Sequence, residues 1–499
     1  MDFTITPLSQ KNQSTDIAIA PPSLVQAPLP AGKSSSSAQT ASDSASNDSS
    51  VSTSSTMPEL SSSVKNANDD KTYGDVPAVP VLDAVQGIKF DFNHGIRVLF
   101  PQNGKSYHIT FMDIDTSIIL YSADVVPGAF VTSVKKFFIR FRLIICEKGS
   151  KEPIFTHDFN AENKDVMIQL PISTIGDSIG WFSYVERFQQ KHHCNVICVM
   201  KPWISGLFKD QYPTIKFISP EDTLKYKPYA SYYMGLFFKG DVDNQPIDFR
   251  YIGLHRTAGY ILGVDPSDIP PRLNLSAPRQ IKEKYVCIAA QSSAQAKYWN
   301  NPFGWMTVVQ FLKDNGYRVL CIDKEKVYGT GLNWNFIPYG AEDFTGSKPL
   351  QERVDLIKDA DFFIGLSSGL SWLAWACRVP VVMISGFTHP TNEFATPYRV
   401  INYHTCHSCW NDMRENFDHF DFLWCPRHKG TDRHFECSRL ISAEQVINTI
   451  RRIPSFKPAE SPEPAPAPSD PAESPAAGSP APKNVFPAQK NNKPGKKHK

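Results

Sequence analysis

The chain has 499 residues, room for two or three domains, with a formal net charge of +2 and 20 % charged residues. So even a balance excludes the basic excess that a nucleic-acid protein usually carries. No stretch reaches the roughly 18 apolar residues of a membrane helix, so no membrane insertion is expected.

The first residues, "MDFTITPLSQKNQSTD", start acidic and stay polar. They lack the basic region and apolar run of a secretory signal. Ten cysteines without an export signal point to a reducing compartment, and a cytoplasmic protein is expected. Residues 1–75 are rich in Ser, Thr and Asn, as in "SSSSAQTASDSASNDSSVSTSSTM". Such a segment buries too little apolar surface to offset its ordering entropy, and disorder is expected.

Residues 76–218 read as β-rich. "GIRVLF", "SYHITFMDIDTSIILYSADV", "AFVTSVKKFFIRFRLIICEKG" and "NVICVMKPW" are short β-branched and aromatic runs. Turn signals such as "QNGK" and "EKGS" separate them. The expectation is a barrel-like or jelly-roll-like domain without a helix before about residue 220. Within it, Asp113 and Asp115 stand two apart in a strand and so share a face. Paired carboxylates on one face are costly unless exposed, ion-paired or at work. They are either a solvated sheet face or a base for an acceptor hydroxyl.

Residues 219–280 form a linker or first helical lobe, with "YKPYASYYMGLFF" and "YIGLHRTAGYILGV" read as helices. Residues 281–456 alternate strand and helix: "YVCIAA", "NPFGWMTVVQFLKDNG", "YRVLCIDK", "LQERVDLIKDA", "DFFIGL", "SWLAWAC" and "VPVVMISG". That alternation predicts a parallel sheet covered on both faces, with ligands beyond the carboxyl ends of its strands.

Two loops in this half suit phosphate. Gly365, Ser367, Ser368 and Gly369 follow a strand and open a helix through Leu370 and Trp372. Small residues let backbone approach a ligand, and a helix N-terminus favours an anion. Neither the P-loop nor the dinucleotide fingerprint is matched. Ser292, Ser293, Gln295 and Lys297 follow the first strand, where the lysine could neutralise charge on a departing phosphate. Each loop alone is equally an ordinary connection. Together they suit a nucleotide-sugar transferase better than a dehydrogenase.

Cys406, Cys409, Cys425 and Cys437 lie in the polar, aromatic segment 404–438. The two-residue gap and the four thiolates suit a tetrahedral metal, with zinc the general expectation and iron compatible. Cys-x-x-Cys alone could be a redox pair. Histidines 404, 407, 419, 428 and 434 add alternative ligands. Four thiolates leave no place for water, so the metal would contribute to folding. Residues 457–499 are a Pro/Ala-rich spacer with a lysine-rich end, "KNNKPGKKHK", and are expected to be disordered.

"AAQSSAQAKYWNNPFGW", "FFIGLSSGLSWLAWACRVPVVMISGF", "ATPYRVIN" and the four-cysteine segment together resemble the bacterial autotransporter heptosyltransferases, over about residues 78–452. The resemblance implies an α/β, two-lobed (GT-B-like) glycosyltransferase with an N-terminal β-barrel/jelly-roll-like domain. It implies transfer of heptose from ADP-heptose to serines of an autotransporter adhesin passenger. It also implies a structural iron on Cys406, Cys409, Cys425 and Cys437, assembly into a ring of twelve, Lys297 on the donor phosphate, and Gly365–Trp372 against the donor. The base it implies lies in "MDIDT", at Asp115 with Asp113 in reserve. A heptosyltransferase for lipopolysaccharide core and a non-catalytic, metal-stabilised binding or assembly module are the alternatives.

Overall fold

The computed structural model describes residues 3–7, 73–170, 174–238 and 240–459. The first strands are β1 (Phe3–Pro7), β2 (Leu82–Asp83), β3 (Lys89–Asn93), β4 (Arg97–Leu99), β5 (Tyr107–Asp113), β6 (Ile119–Val125), β7 (Ala129–Ser133), β8 (Phe141–Glu147) and β9 (Pro153–Asp158). They form an antiparallel sheet β6-β5-β8-β9 and an antiparallel run β1-β7-β4-β3. Alternation shapes β5, where Tyr107, Ile109 and Phe111 are buried and the residues between them are not.

The antiparallel run does not close into the expected barrel. It continues through β3 into a parallel set made of β10 (Asp165–Gln169), β11 (Asn195–Val199), β12 (Lys216–Ile218) and β13 (Ala230–Tyr233), in the order β3-β13-β10-β11-β12. Between β10 and β11 runs helix α1 (Ile175–His192). Two sequence expectations therefore change. A long helix lies before residue 220, and the "ASYY" of "YKPYASYYMGLFF" is strand β13. Helix α1 was hidden because Gly176 and Gly180 have low helix propensity and tertiary packing overrides it. Strand β13 was hidden because a strand covered on both faces shows no alternation. The β-rich front part thus ends with β9, and the first α/β lobe begins at β10, inside the segment 76–218.

One further change concerns residues 1–75. Phe3–Pro7 pairs antiparallel with β7, from Phe3 opposite Ser133 to Pro7 opposite Ala129. The free edge of β7 supplies the backbone partners that the short segment lacks alone. The remaining expectation of disorder, for 8–72 and for the tail beyond 459, lies outside the described residues.

Short helices α2 (Pro202–Ser205), α3 (Phe249–Ile252) and α4 (Arg256–Leu262) lead to the second lobe. That lobe comprises β14 (Tyr285–Ile288), α5 (Gly304–Asp314), β15 (Arg318–Cys321), the hairpin β16 (Val327–Thr330) and β17 (Asn333–Phe336), β18 (Glu342–Asp343), α6 (Leu350–Ile357), β19 (Phe363–Leu366), α7 (Gly369–Ala376), β20 (Val381–Ile384), β21 (Arg399–Val400), α8 (Glu436–Arg439) and α9 (Ala443–Ile450). Its sheet is all parallel, in the order β18-β15-β14-β19-β20-β21. Strands β14, β19 and β20 are fully buried, as their unbroken apolar runs require. Among the described residues no helix is long and apolar enough to cross a membrane.

The lobes meet where the N-termini of α1 and α7 touch. A Cβ on Gly369 would lie 2.9 Å from Ile175 Cβ and 3.2 Å from the Gly176 nitrogen. A Cβ on Gly176 would lie 2.8 Å from Trp372 Cδ1. Only glycine permits this approach. Gly176→Ala should destabilise the protein by about 1–3 kcal/mol through overpacking against buried Trp372. Equilibrium unfolding in denaturant checks it, and an unchanged midpoint would show that the contact is loose.

Candidate functional site

The two parallel sheets present their carboxyl ends to a shared cleft of about 850 Å³. Thr174, Asp177 and Trp203 line it from the first lobe. From the second come the loops after β14, β15 and β19 and the start of α7, including Ser292, Ser293, Lys297, Lys324, Ser367, Ser368 and Gly369. Clefts of this size, apolar with a few convergent polar groups, hold small-molecule ligands.

Asp177 stands in the first turn of α1, whose N-cap is Thr174. The Thr174 hydroxyl accepts from the Asp177 backbone N–H at 3.4 Å. Burial pushes the Asp177 carboxyl up to about 6, against the opposing pull of the Thr174 hydrogen bond and the Lys297 charge. Lys297 faces the same environment with opposite sign. Burial lowers it, while Asp177 and Glu393 hold it up. Its ammonium donates to Ser293 Oγ at 3.3 Å and lies over the rings of Phe387 and Phe417, at 5.6 and 5.8 Å. A carboxylate with its proton affinity raised and an ammonium in one cleft can serve as a base and as a cation for developing negative charge.

The loop after β19 leads into α7 beside the cleft. Among the described residues no side chain caps α7, and while the Ser371 N–H donates to Ser368 O at 3.1 Å, Gly369 and Leu370 of its first turn line the cleft. That suits an anion. Ser371 Oγ donates to Leu366 O at 2.6 Å and fixes the turn. Ser367 Oγ donates to Glu393 at 2.5 Å, and Arg399 neutralises the other Glu393 oxygen at 2.7 Å. Arg399 and Glu393 are both buried there.

Of the residues expected at the donor, Ser292, Ser293, Lys297, Ser367, Ser368, Gly369, Leu370 and Trp372 line the cleft. Gln295 and Gly365 do not. Gln295 is spent on structure: it donates to Asn300 at 2.7 Å and accepts from Asn335 of β17 at 2.8 Å. Gly365 lies inside β19, where a Cβ would meet Phe363 at 2.5 Å and Ser371 Oγ at 2.7 Å. It is a packing glycine.

Asp113 and Asp115 are corrected as well. Strand β5 ends at Asp113, so the shared strand face is lost within two residues. Asp113 accepts from the Asp115 N–H at 3.0 Å and from Thr116 Oγ1 at 2.7 Å, closing a turn. Asp115 pairs with Arg140 at 2.7 Å, both exposed. Neither lines the cleft. Sequence reading missed Asp177, although "TIGD" ahead of "SIGWFSYV" carries the Thr-x-x-Asp signature of a helix start. Glu393 and Arg399 carried no such local signal.

The four-cysteine segment folds beneath one wall of the cleft. Cys406, Cys409, Cys425 and Cys437 line one cavity of about 20 Å³, room for a single ion. All ten cysteines are free thiols. Burial and the other three cysteines push the Cys409 thiol up, and burial with Cys425 and Cys406 takes Cys437 up to about 12. Burial beside other sulfurs makes the Cys409 and Cys437 thiols resist ionisation, a cost that a bound cation offsets. Arg427 donates toward Cys406 Sγ at 3.8 Å, and Cys406 also groups with His428 and Glu436. The donor set fits a metal ion.

Residues 85–149 match the family described as the N-terminal domain of glycosyltransferase TibC, and residues 261–415 match glycosyltransferase family 9 (heptosyltransferase). The chain is 54 % identical over 385 residues to autotransporter heptosyltransferase Aah of Escherichia coli, covering 77 % of this chain and 98 % of that one. A crystal structure of dodecameric iron-containing heptosyltransferase TibC with ADP-D-beta-D-heptose is 52 % identical, with a TM-score of 0.74. It covers 76 % of this chain and 98 % of that one, and the protein comes from E. coli O78:H11. BimC of Burkholderia thailandensis, described as an inactive autotransporter heptosyltransferase, is 42 % identical over 76 % of this chain and 88 % of its own length.

Replacing Cys409 or Cys437 with Ser should lower bound metal to well below one per chain, and should lower the melting temperature with it. Elemental analysis of the purified variants checks this. Full metal content in both would remove these sulfurs from the ligand set.

Proposed function

The chain belongs to the autotransporter heptosyltransferases, and from that premise we propose that Asp177 and Lys297 carry transfer of heptose from ADP-heptose to serine hydroxyls of an autotransporter passenger. The single observation behind the residue assignment is their convergence, from opposite lobes, on one cleft beside an uncapped helix N-terminus.

The step balances as a direct displacement. The Asp177 carboxylate takes the serine hydroxyl proton. The serine oxygen bonds to the anomeric carbon as the bond from that carbon to the phosphate oxygen breaks. The electron pair leaves on ADP, and configuration at the anomeric carbon inverts. Lys297 and the first N–H groups of α7 stabilise the charge growing on the leaving diphosphate. Asp177 near 6 is a base at neutral pH and still holds appreciable proton affinity, the compromise general-base catalysis favours.

Cys406, Cys409, Cys425 and Cys437 would hold an iron ion, by likeness to TibC, and that metal supplies folding energy to the segment. A twelve-subunit assembly follows from the same likeness. It is supported by exposed apolar side chains on and beside the β16–β17 hairpin, among them Leu332, Trp334 and Phe336. The free thiols suit modification of the passenger in the cytoplasm, before export. Likeness to BimC keeps a second reading, a non-catalytic binding and assembly protein. Under that reading ADP-heptose binds and no serine is modified.

Intact mass of a co-expressed passenger, with and without ADP-heptose supply, decides between them. A ladder in heptose units supports transfer, and an unmodified passenger beside donor-bound protein supports the second reading. Asp177→Asn should lower turnover by about 10²–10⁴-fold with donor affinity kept. Lys297→Ala should cost about 10²-fold or more. Asp115→Ala should stay near wild type, since its partner is Arg140. For the wild type, kcat/KM should fall as pH drops through about 6, because protonated Asp177 cannot accept the serine proton. An acid limb that survives Asp177→Asn would reassign the base.

A further inference from the structure

Cys409 is followed by two residues that turn from the sulfur cluster to the cleft. Trp410 Nε1 donates to Asn392 Oδ1 at 3.0 Å, and Asn411 Nδ2 donates to the same oxygen at 3.2 Å. Asn392 is buried, and its Nδ2 donates to Glu393 Oε1 at 3.1 Å. That oxygen also accepts from Ser367 Oγ, on the loop that opens α7. The Asn392 amide is thus divided: its oxygen faces the cysteine segment, and its nitrogen faces the donor loop. Trp410, Asn392, Glu393 and Ser367 all line the cleft.

A second contact runs through rings. Trp410 packs on Phe387 and Phe417, with centroids at 5.5 and 5.3 Å. These are the two rings beneath the Lys297 ammonium. The residue next to a metal-ligating cysteine therefore supports both the donor loop and the cationic residue of the site.

We propose that Trp410 and Asn392 are positioning residues that couple metal binding at the four cysteines to nucleotide diphosphate binding in the cleft. This rests on the functional reading above for the occupant of the cleft. A bound metal orders the Cys406–Cys409 turn and aims the Trp410 N–H at Asn392. Asn392 then holds Glu393, and through it Ser367, in the arrangement that leaves the α7 N-terminus open to a diphosphate. Linkage is reciprocal, so a bound diphosphate must strengthen metal binding by the same factor. The contact chain is contiguous, and demonstrating it requires a measured coupling rather than proximity.

The test titrates metal-loaded, full-length protein with an iron chelator, with and without saturating ADP, and follows retained metal by elemental analysis. In the wild type, ADP should raise the chelator midpoint by about 5-fold or more, the lower end of ordinary couplings. In Trp410→Phe, which keeps the ring and loses the N–H, the shift should shrink. In Asn392→Ala it should approach one, also if the first variant fails to load metal. ADP that merely stabilised the whole fold would protect the variants as well as the wild type, and equal shifts would overturn the proposal. So would a wild-type midpoint that ADP leaves in place. Calorimetry with ADP on the same samples separates the causes: no ADP binding defeats the functional reading and this proposal together, whereas binding without a shift defeats the coupling alone.

Discussion

The architecture depends on how closely two helix N-termini can approach. Gly176 of α1 and Gly369 of α7 meet with no room for a methyl group, under the indole of Trp372. Each helix starts at the carboxyl end of a parallel sheet in its own lobe. Bringing the starts together therefore brings the ends of both sheets onto one cleft. Asp177 lies one residue beyond Gly176, and the Ser367–Ser368 turn directly precedes Gly369. The same contact that closes the lobes sets a carboxylate from one against an anion-binding turn from the other.

Charge in that cleft is arranged by opposition. Burial shifts both groups toward their neutral forms, raising Asp177 and lowering Lys297. Each opposes the other's shift, and Glu393 adds to the field that keeps Lys297 charged. Glu393 is in turn neutralised by Arg399 behind it, so it can accept the Ser367 hydroxyl without burdening the cleft with a bare carboxylate. The site is thus a layered set of charges: Asp177 and Glu393 oppose Lys297, and Arg399 pairs with Glu393.

The cysteine segment belongs to the same construction. It has little regular structure of its own, only a short turn at Cys409–Asn411 and the four-residue α8. Its Trp410, Trp424 and Phe435 nevertheless form a compact cluster with Phe249 and Phe387 against the cleft wall. Turns rather than long helices or strands hold its backbone, and its four cysteines line one small cavity. The wall it packs against carries Lys297 and the Asn392–Glu393 pair.

Much of this was legible along the chain. Strands β14, β15, β19 and β20, helices α5 and α6 and the turn into α7 follow from local pattern: unbroken apolar runs, helical periodicity and small residues before a helix, and the same patterns singled out Lys297 and the four cysteines as candidates. The sequence also contained the Thr174–Asp177 helix start, but two glycines masked the helix that follows it. Asp113 and Asp115 looked paired because a two-residue spacing means one face only while a strand continues, and β5 stops at Asp113. Local order by itself determined which elements form and which side chains are chemically capable. Only the tertiary structure decided which carboxylate faces the lysine, because Asp177 and Lys297 are 120 residues apart and no local signal records a contact between lobes. That choice is made by the steric fit of two glycine-bearing helix starts, a property of the packed interface rather than of either segment.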